Sequence, residues 1–160
     1  MSDKRAQSRP PSPSNENDRL EAEPASPTPP AQPSTLLVVE DDPDTQAFMK
    51  ALLGRSYEVA TAATAEELWT TLEQVLPCII LMDVSLKGSE DGLTLTRRLR
   101  ADSRWSSIPV VALTAHTTTE DRERALDAGC AAYVSKPVDR RRLLQLIRSL
   151  LLVDSPPVPE

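Results

Sequence analysis

The 160-residue chain is poor in cysteine, with only Cys78 and Cys130, and has a single histidine, His116. Both cysteines stand in apolar surroundings at no metal-ligand or redox spacing, so they read as small buried hydrophobes in a reducing, cytoplasmic setting. No apolar run approaches the roughly 20 residues a membrane span requires. The opening MSDKRAQSRPPSPS has basic residues but no apolar segment behind them, which leaves no secretory signal. A net charge of −6 leaves no broad basic footprint for nucleic acid. Neither a membrane nor a nucleic acid is therefore expected as a direct partner.

What is present divides near residue 34. More than half of the 15 prolines fall within residues 1–34, alongside one leucine and no aromatic residue. Such a stretch cannot bury enough apolar surface to offset its chain entropy, so residues 1–34 are expected to be disordered. At the other end DSPPVPE, residues 154–160, is expected to be a short tail. The folded part then spans 35–153, enough for one domain and not two.

Within that span, strand-like apolar runs alternate with helical patterns. TLLVVE fits a strand buried on both faces. After it Ala47, Phe48, Ala51 and Leu52 recur at helical spacing, with Pro43 suited to the first turn. YEVATA reads as a second strand, and Thr64 with Glu67 makes a capping box for a helix striped by Leu68, Leu72, Val75 and Leu76. CIILMD is a third strand, followed by a loop with Gly88 and Gly92 and a helix carrying Leu95 and Leu99. IPVVALTA is the fourth, after which Thr117 and Glu120 have capping-box spacing and Gly129 ends the helix. CAAYVSKP is the fifth, and Asp139 can cap a last helix with Leu143, Ile147, Leu150 and Leu151 on one side. This alternation implies an α/β fold, a doubly wound parallel sheet with helices on both faces.

Ligands of such sheets bind outside the carboxyl ends of the strands, so the residues just past each strand matter most. They are Glu40, Asp41 and Asp42 after the first strand, Asp83 after the third, Thr114 late in the fourth and Lys136 after the fifth. Each interrupts an apolar run with a polar group, while the second strand end offers nothing comparable. Crowded carboxylates repel one another unless a cation neutralises them. With no histidine or cysteine in the cluster, the oxygen donors suit Mg²⁺, which keeps waters and shares a phosphoryl group. Thr114 and Lys136 would offer a hydroxyl and a fixed positive charge to phosphoryl oxygens, and a carboxylate could be the nucleophile. Asp44, just past Pro43, reads as an early-helix anion favoured by the macrodipole.

The acidic doublet in VVEDD, then IILMDVSL, VVALTAH and YVSKP, in this order and at these intervals, resemble the receiver domain of two-component response regulators across nearly all of 35–153. The resemblance implies a flavodoxin-like five-stranded sheet in the order 2-1-3-4-5. It implies Asp83 as the phosphoacceptor, charged by a sensor histidine kinase or a histidine phosphotransfer protein. Asp41 and Asp83 would then bind Mg²⁺ with the main-chain carbonyl of Ser85, and Glu40 would assist through a bound water. Glu in the first acidic place is a familiar variant of this family. Asp42 would only shape the field of the site. Thr114 and Lys136 would bind phosphoryl oxygens, Tyr133 would be the aromatic partner of the switch, and the Lys136–Pro137 bond would be cis.

The chain departs from the family pattern in the loop SLKGSEDG, one residue longer than the commonest form, with Lys87 where a proline is frequent. Ser85 and His116 hold places that, by the resemblance, influence in this family how fast the phosphoryl group is lost. His116 itself reads as a residue of the pocket rim. Arg140, Arg141 and Arg142 open the last helix, where positive charge opposes the macrodipole. They form either a solvated face or a docking surface, a testable form of which is a phosphorylation-dependent homodimer. Few residues remain after the last helix, so no output domain is expected and a stand-alone receiver would act by switching contacts with a downstream protein. A haloacid-dehalogenase-like phosphatase is disfavoured by Ser85, where a second Asp is required. A dinucleotide-binding domain is disfavoured because EDDPD lacks glycine. A receiver-shaped module that binds partners without phosphorylation is the remaining alternative.

Overall fold

A computed structural model describes residues 34–153. The disorder anticipated for 1–34 and the tail at 154–160 lie, Ser34 apart, outside those residues. Ten elements alternate: β1 (Thr35–Val39), α1 (Pro43–Leu53), β2 (Glu58–Ala62), α2 (Ala65–Gln74), β3 (Ile79–Asp83), α3 (Gly92–Ala101), β4 (Val110–Thr114), α4 (Thr119–Ala128), β5 (Ala132–Ser135) and α5 (Arg140–Val153). All strand pairs are parallel, in the order β2-β1-β3-β4-β5. The flavodoxin-like topology implied by the resemblance is therefore the one observed.

The two-residue period of a strand decides which helices each side chain meets. On one face Leu37, Val39, Ile80, Met82, Val110 and Ala112 pack with Leu68 and Leu72 of α2, Leu95 and Leu99 of α3 and Ala125 of α4. On the other, Leu36, Val38, Ile79, Leu81, Val111 and Leu113 pack with Met49, Leu52 and Leu53 of α1 and Leu143, Leu144 and Ile147 of α5. Both layers are closed, which is why β1, β3 and β4 are nearly uninterrupted apolar sequence. Each fully buried leucine contributes about 1.5–3 kcal/mol over its exposed state. Edge strand β2 is only partly covered, and it tolerates Glu58 and Thr61.

Three helix details differ from the sequence reading. Helix α1 turns Met49, Leu52 and Leu53 inward, leaving Phe48 52% exposed and Ala47 and Ala51 on the solvent side. Its apolar residues form two competing stripes, and packing against the sheet and α5 selects the one centred on Met49 and Leu53. Leu76 lies beyond the end of α2 and is exposed. Helix α4 is capped one residue later than expected, by Thr118, whose hydroxyl accepts from Asp121 N at 3.1 Å.

The other caps follow their chemistry. Thr64 Oγ1 accepts from Glu67 N at 3.1 Å, as the capping-box spacing predicts, while Glu67 Oε1 reaches one residue past the N-cap and accepts from Ala63 N at 2.7 Å in place of the Thr64 amide. Gly129 closes α4 at φ 108°, a left-handed turn that glycine adopts without steric cost. Asp139 caps α5 by accepting from the amides of Arg141 and Arg142. Of the three arginines there, Arg140 reaches back to α1, its Nε donating to Leu52 O at 3.1 Å.

Candidate functional site

The parallel register brings the strand ends together. Met82 pairs with Val39 on one side and with Ala112 on the other, and Thr114 pairs with Ser135. Glu40 follows β1 directly and is anchored by main-chain bonds, its N–H donating to Ala62 O and its carbonyl accepting from Gln46 Nε2. Asp83 ends β3, and Val84 N continues the ladder to Leu113 O at 3.0 Å. Lys136 is held past β5 by its N–H on Thr114 O at 2.8 Å, and the Lys136–Pro137 peptide is cis.

Glu40 and Asp83 are 2% and 4% exposed, very low values for carboxylates. Lys136 lies between them, with Nζ 3.1 Å from Glu40 Oε1 and 3.4 Å from Asp83 Oδ1. The second oxygen of Glu40 accepts from Asp42 N at 3.2 Å, and Asp83 Oδ1 also accepts from Ser85 N at 2.9 Å. Asp41 is less buried, and its Oδ2 accepts from Lys87 N at 3.1 Å. One oxygen from each of Glu40, Asp41 and Asp83 lies within 4.8 Å of the others.

The electrostatics follow from burial and crowding. Burial pushes the Glu40 carboxyl above its usual range, and the charge of Asp83 adds to this against the Asp42 amide and Lys136. Burial alone would pull Lys136 down, but the bond to Glu40 and the charges of Asp83 and Glu40 outweigh it and hold the ammonium charged. One ammonium against three carboxylates leaves negative charge that a divalent cation would neutralise. The donor set is oxygen only, which fits Mg²⁺. Both Glu40 oxygens are engaged by Lys136 and the Asp42 amide, whereas Asp41 retains an oxygen beside the one bonded to Lys87.

Thr114 sits at the end of β4, 2% exposed, one residue past the register partner of Asp83. Its hydroxyl accepts from His116 N at 3.0 Å and donates to His116 O at 3.2 Å. The Tyr133 hydroxyl donates to the same His116 carbonyl. Thr114 and Tyr133 are thus joined through the main chain of the β4–α4 loop, while the His116 side chain is exposed, as a rim residue should be.

The structure gathers Glu40, Asp41, Asp83 and Lys136 into one cluster, with Thr114 on the adjoining strand end. Ser85 contributes its amide to Asp83. Asp42 has a role that the sequence reading did not give it: it is the N-cap of α1, accepting from Thr45 N at 3.0 Å and Thr45 Oγ1 at 2.6 Å. Pro43 at the first helical position was the signal for it. Two supporting residues escaped the sequence reading. The Lys87 amide on Asp41 is one. Gly92 is the other, pressed so closely on the Asp83 carbonyl that a Cβ built there would lie 2.2 Å from its oxygen.

Comparison with known proteins agrees with this geometry. Residues 36–148 match the family model of the response regulator receiver domain. Response regulator Rre1 of Synechocystis is 38% identical over 76% of this chain and 53% of its own length, so the chain spans about half of that relative. The polar-differentiation response regulator DivK of Brucella anthropi is 33% identical over 74% of this chain and 97% of its own. A solved receiver domain of a sensor histidine kinase from Pseudomonas aeruginosa, with a magnesium ion coordinated in its active-site cleft, superposes with a TM-score of 0.68. It is 32% identical and covers 75% of this chain and 98% of that one. With the strand order, the acidic strand ends and these matches in agreement, the chain belongs to the response regulator receiver domain family.

Proposed function

We propose that residues 35–153 form a receiver that takes a phosphoryl group onto Asp83 from a phosphohistidine of a sensor histidine kinase or a histidine phosphotransfer protein, with Mg²⁺ as cofactor. The acyl phosphate then changes contacts with a downstream protein. The observation that carries this reading is Lys136 Nζ set between two nearly buried carboxylates, 3.1 Å from Glu40 and 3.4 Å from Asp83, at adjoining strand ends.

Asp83 Oδ1 is engaged by the Ser85 amide, which leaves Oδ2 to attack phosphorus. The P–N bond to the donor imidazole breaks, the histidine leaves with that electron pair, and an aspartyl phosphate remains. Bound Mg²⁺ would offset the repulsion between the carboxylates and the incoming phosphoryl oxygens. Asp41, Asp83 and the Ser85 carbonyl are its proposed protein ligands, with Glu40, whose two oxygens already accept from Lys136 and the Asp42 amide, assisting through a bound water. The Lys136 ammonium, held charged, takes a phosphoryl oxygen as charge develops.

Thr114 provides the switch. To bond a phosphoryl oxygen its hydroxyl must turn its proton away from the His116 carbonyl, while its oxygen can still accept from His116 N, and that leaves the carbonyl to Tyr133. A local rearrangement of charge is thereby converted into a movement of the β4–α4 loop. The same aspartate receives and loses the group, so the protein is a signalling acceptor.

Intact-protein mass spectrometry after incubation with phosphoramidate, with and without Mg²⁺, tests the reading. A single Mg²⁺-dependent phosphoryl adduct, absent in Asp83→Asn, is expected. A folded wild-type protein that binds Mg²⁺ but forms no adduct would overturn it in favour of a phosphorylation-independent binding module.

A further inference from the structure

The β3–α3 loop is pinned at its base, where Gly92 N donates to Val84 O at 3.2 Å, and Asp91 at its end caps α3. Between these points one main-chain group crosses to another strand end: Lys87 N donates to Asp41 Oδ2 at 3.1 Å. The next residue, Gly88, has φ 117°, and a Cβ there would meet nothing within 4 Å. Its glycine answers a conformational need and no steric one, a left-handed turn directly after the residue whose amide meets Asp41.

The three carboxylates of the cluster are held unequally. Lys136 lies against Glu40 and Asp83, the two nearly buried members. Asp41 is the more exposed one, and its anchor across the site is the Lys87 amide. An unanchored carboxylate beside two like charges gains by swinging toward solvent. The amide holds it in the cluster and takes one oxygen while leaving the other free, and a carboxylate accommodates both partners. Partners of this kind, behind the ligands themselves, set metal affinity by fixing ligand orientation.

We propose that the main-chain N–H of Lys87 is a positioning group that holds Asp41 for a divalent cation. The role belongs to the amide and not to the lysine side chain, so any residue with an N–H performs it and proline, lacking one, does not. This rests on the cation reading of Glu40, Asp41 and Asp83 given above.

The test replaces the amide at position 87 by an ester, using the α-hydroxy analogue of lysine in the full chain. That removes the donor and keeps the side chain. Mg²⁺ affinity is measured by calorimetry, with folding followed by circular dichroism. The dissociation constant should rise about tenfold in the ester protein, the lower end of the range for such partners, whereas Lys87→Ala, which keeps the amide, should stay within about twofold of wild type. A folded ester protein that binds Mg²⁺ as well as or better than wild type overturns the assignment. If the ester protein does not fold, Lys87→Pro against Lys87→Ala makes the same comparison, and equal affinities overturn it. A wild-type protein that binds no Mg²⁺ overturns the cation reading itself, a result distinct from loss of the Lys87 effect alone.

Discussion

Replacing Gly92 by alanine adds one methyl group at the point where α3 meets the end of β3. The new Cβ would lie 2.2 Å from the Asp83 carbonyl oxygen, 2.9 Å from its carbon and 2.9 Å from Met82 Cγ. Two of these three atoms are backbone, so no side-chain rotation relieves the clash. The start of α3 must withdraw by on the order of 1 Å to restore an ordinary contact, and overpacking of this kind costs about 1–3 kcal/mol. Withdrawal also strains the Gly92 N–H bond to Val84 O, worth about 1 kcal/mol. Alanine regains up to about 1 kcal/mol of helix propensity, less at this first helical position than in the interior. The net expectation is a loss of about 1–3 kcal/mol, read by urea unfolding. The disturbed backbone is that of Asp83, so the rate of phosphoryl adduct formation should fall in protein that is still fully folded. A Gly92→Ala protein with wild-type stability and a wild-type phosphorylation rate would refute the reasoning.

Three further outcomes are expected. Burial holds the Glu40 carboxyl above its usual range, so without metal the folded state binds that proton more tightly than the unfolded chain does. The stabilisation is fully present below the unfolded value and is lost as pH rises through the folded one; in Glu40→Gln this slope should vanish from urea midpoints taken across acidic pH. Thr114→Ala and Tyr133→Phe should each cost about 0.5–1.5 kcal/mol, and because both hydroxyls bond the His116 main chain, the double variant should deviate from additivity. Additive costs would show that the two are not coupled. Reversing Arg141 and Arg142 to glutamate, with Arg140 left on Leu52 O, should preserve phosphorylation and weaken any self-association of the phosphorylated protein in sedimentation velocity; unchanged association would remove these residues from the interface.

The parts of this molecule visible in its sequence are those in which side chains do the work. β1, β3 and β4 are covered on both faces, so their strands are near-continuous apolar runs. Glu40, Asp83, Thr114 and Lys136 stand out because each ends such a run. Strand order has no local signature, and there the family resemblance was needed. The inward face of α1 is not legible in the sequence because Phe48 and Met49 are adjacent apolar residues about 100° apart on the helix, and only packing against the sheet and α5 chooses between them. The largest gap concerns the backbone. Asp42 N on Glu40, Ser85 N on Asp83, Lys87 N on Asp41 and the two main-chain groups of His116 on Thr114 are contacts that nearly any residue type at those positions would make. They depend on where the loops turn, and glycines mark those turns more clearly than any charged residue does: Gly88 by its left-handed φ, Gly92 by its contact with the Asp83 carbonyl. Sequence pattern thus picks out Asp83 as the proposed phosphoacceptor, while main-chain donors hold the carboxylates of the cluster in place. Proline at 87, or a side chain at 88 or 92, brings no reacting group and removes none, yet each should alter the site more than the side chain itself suggests.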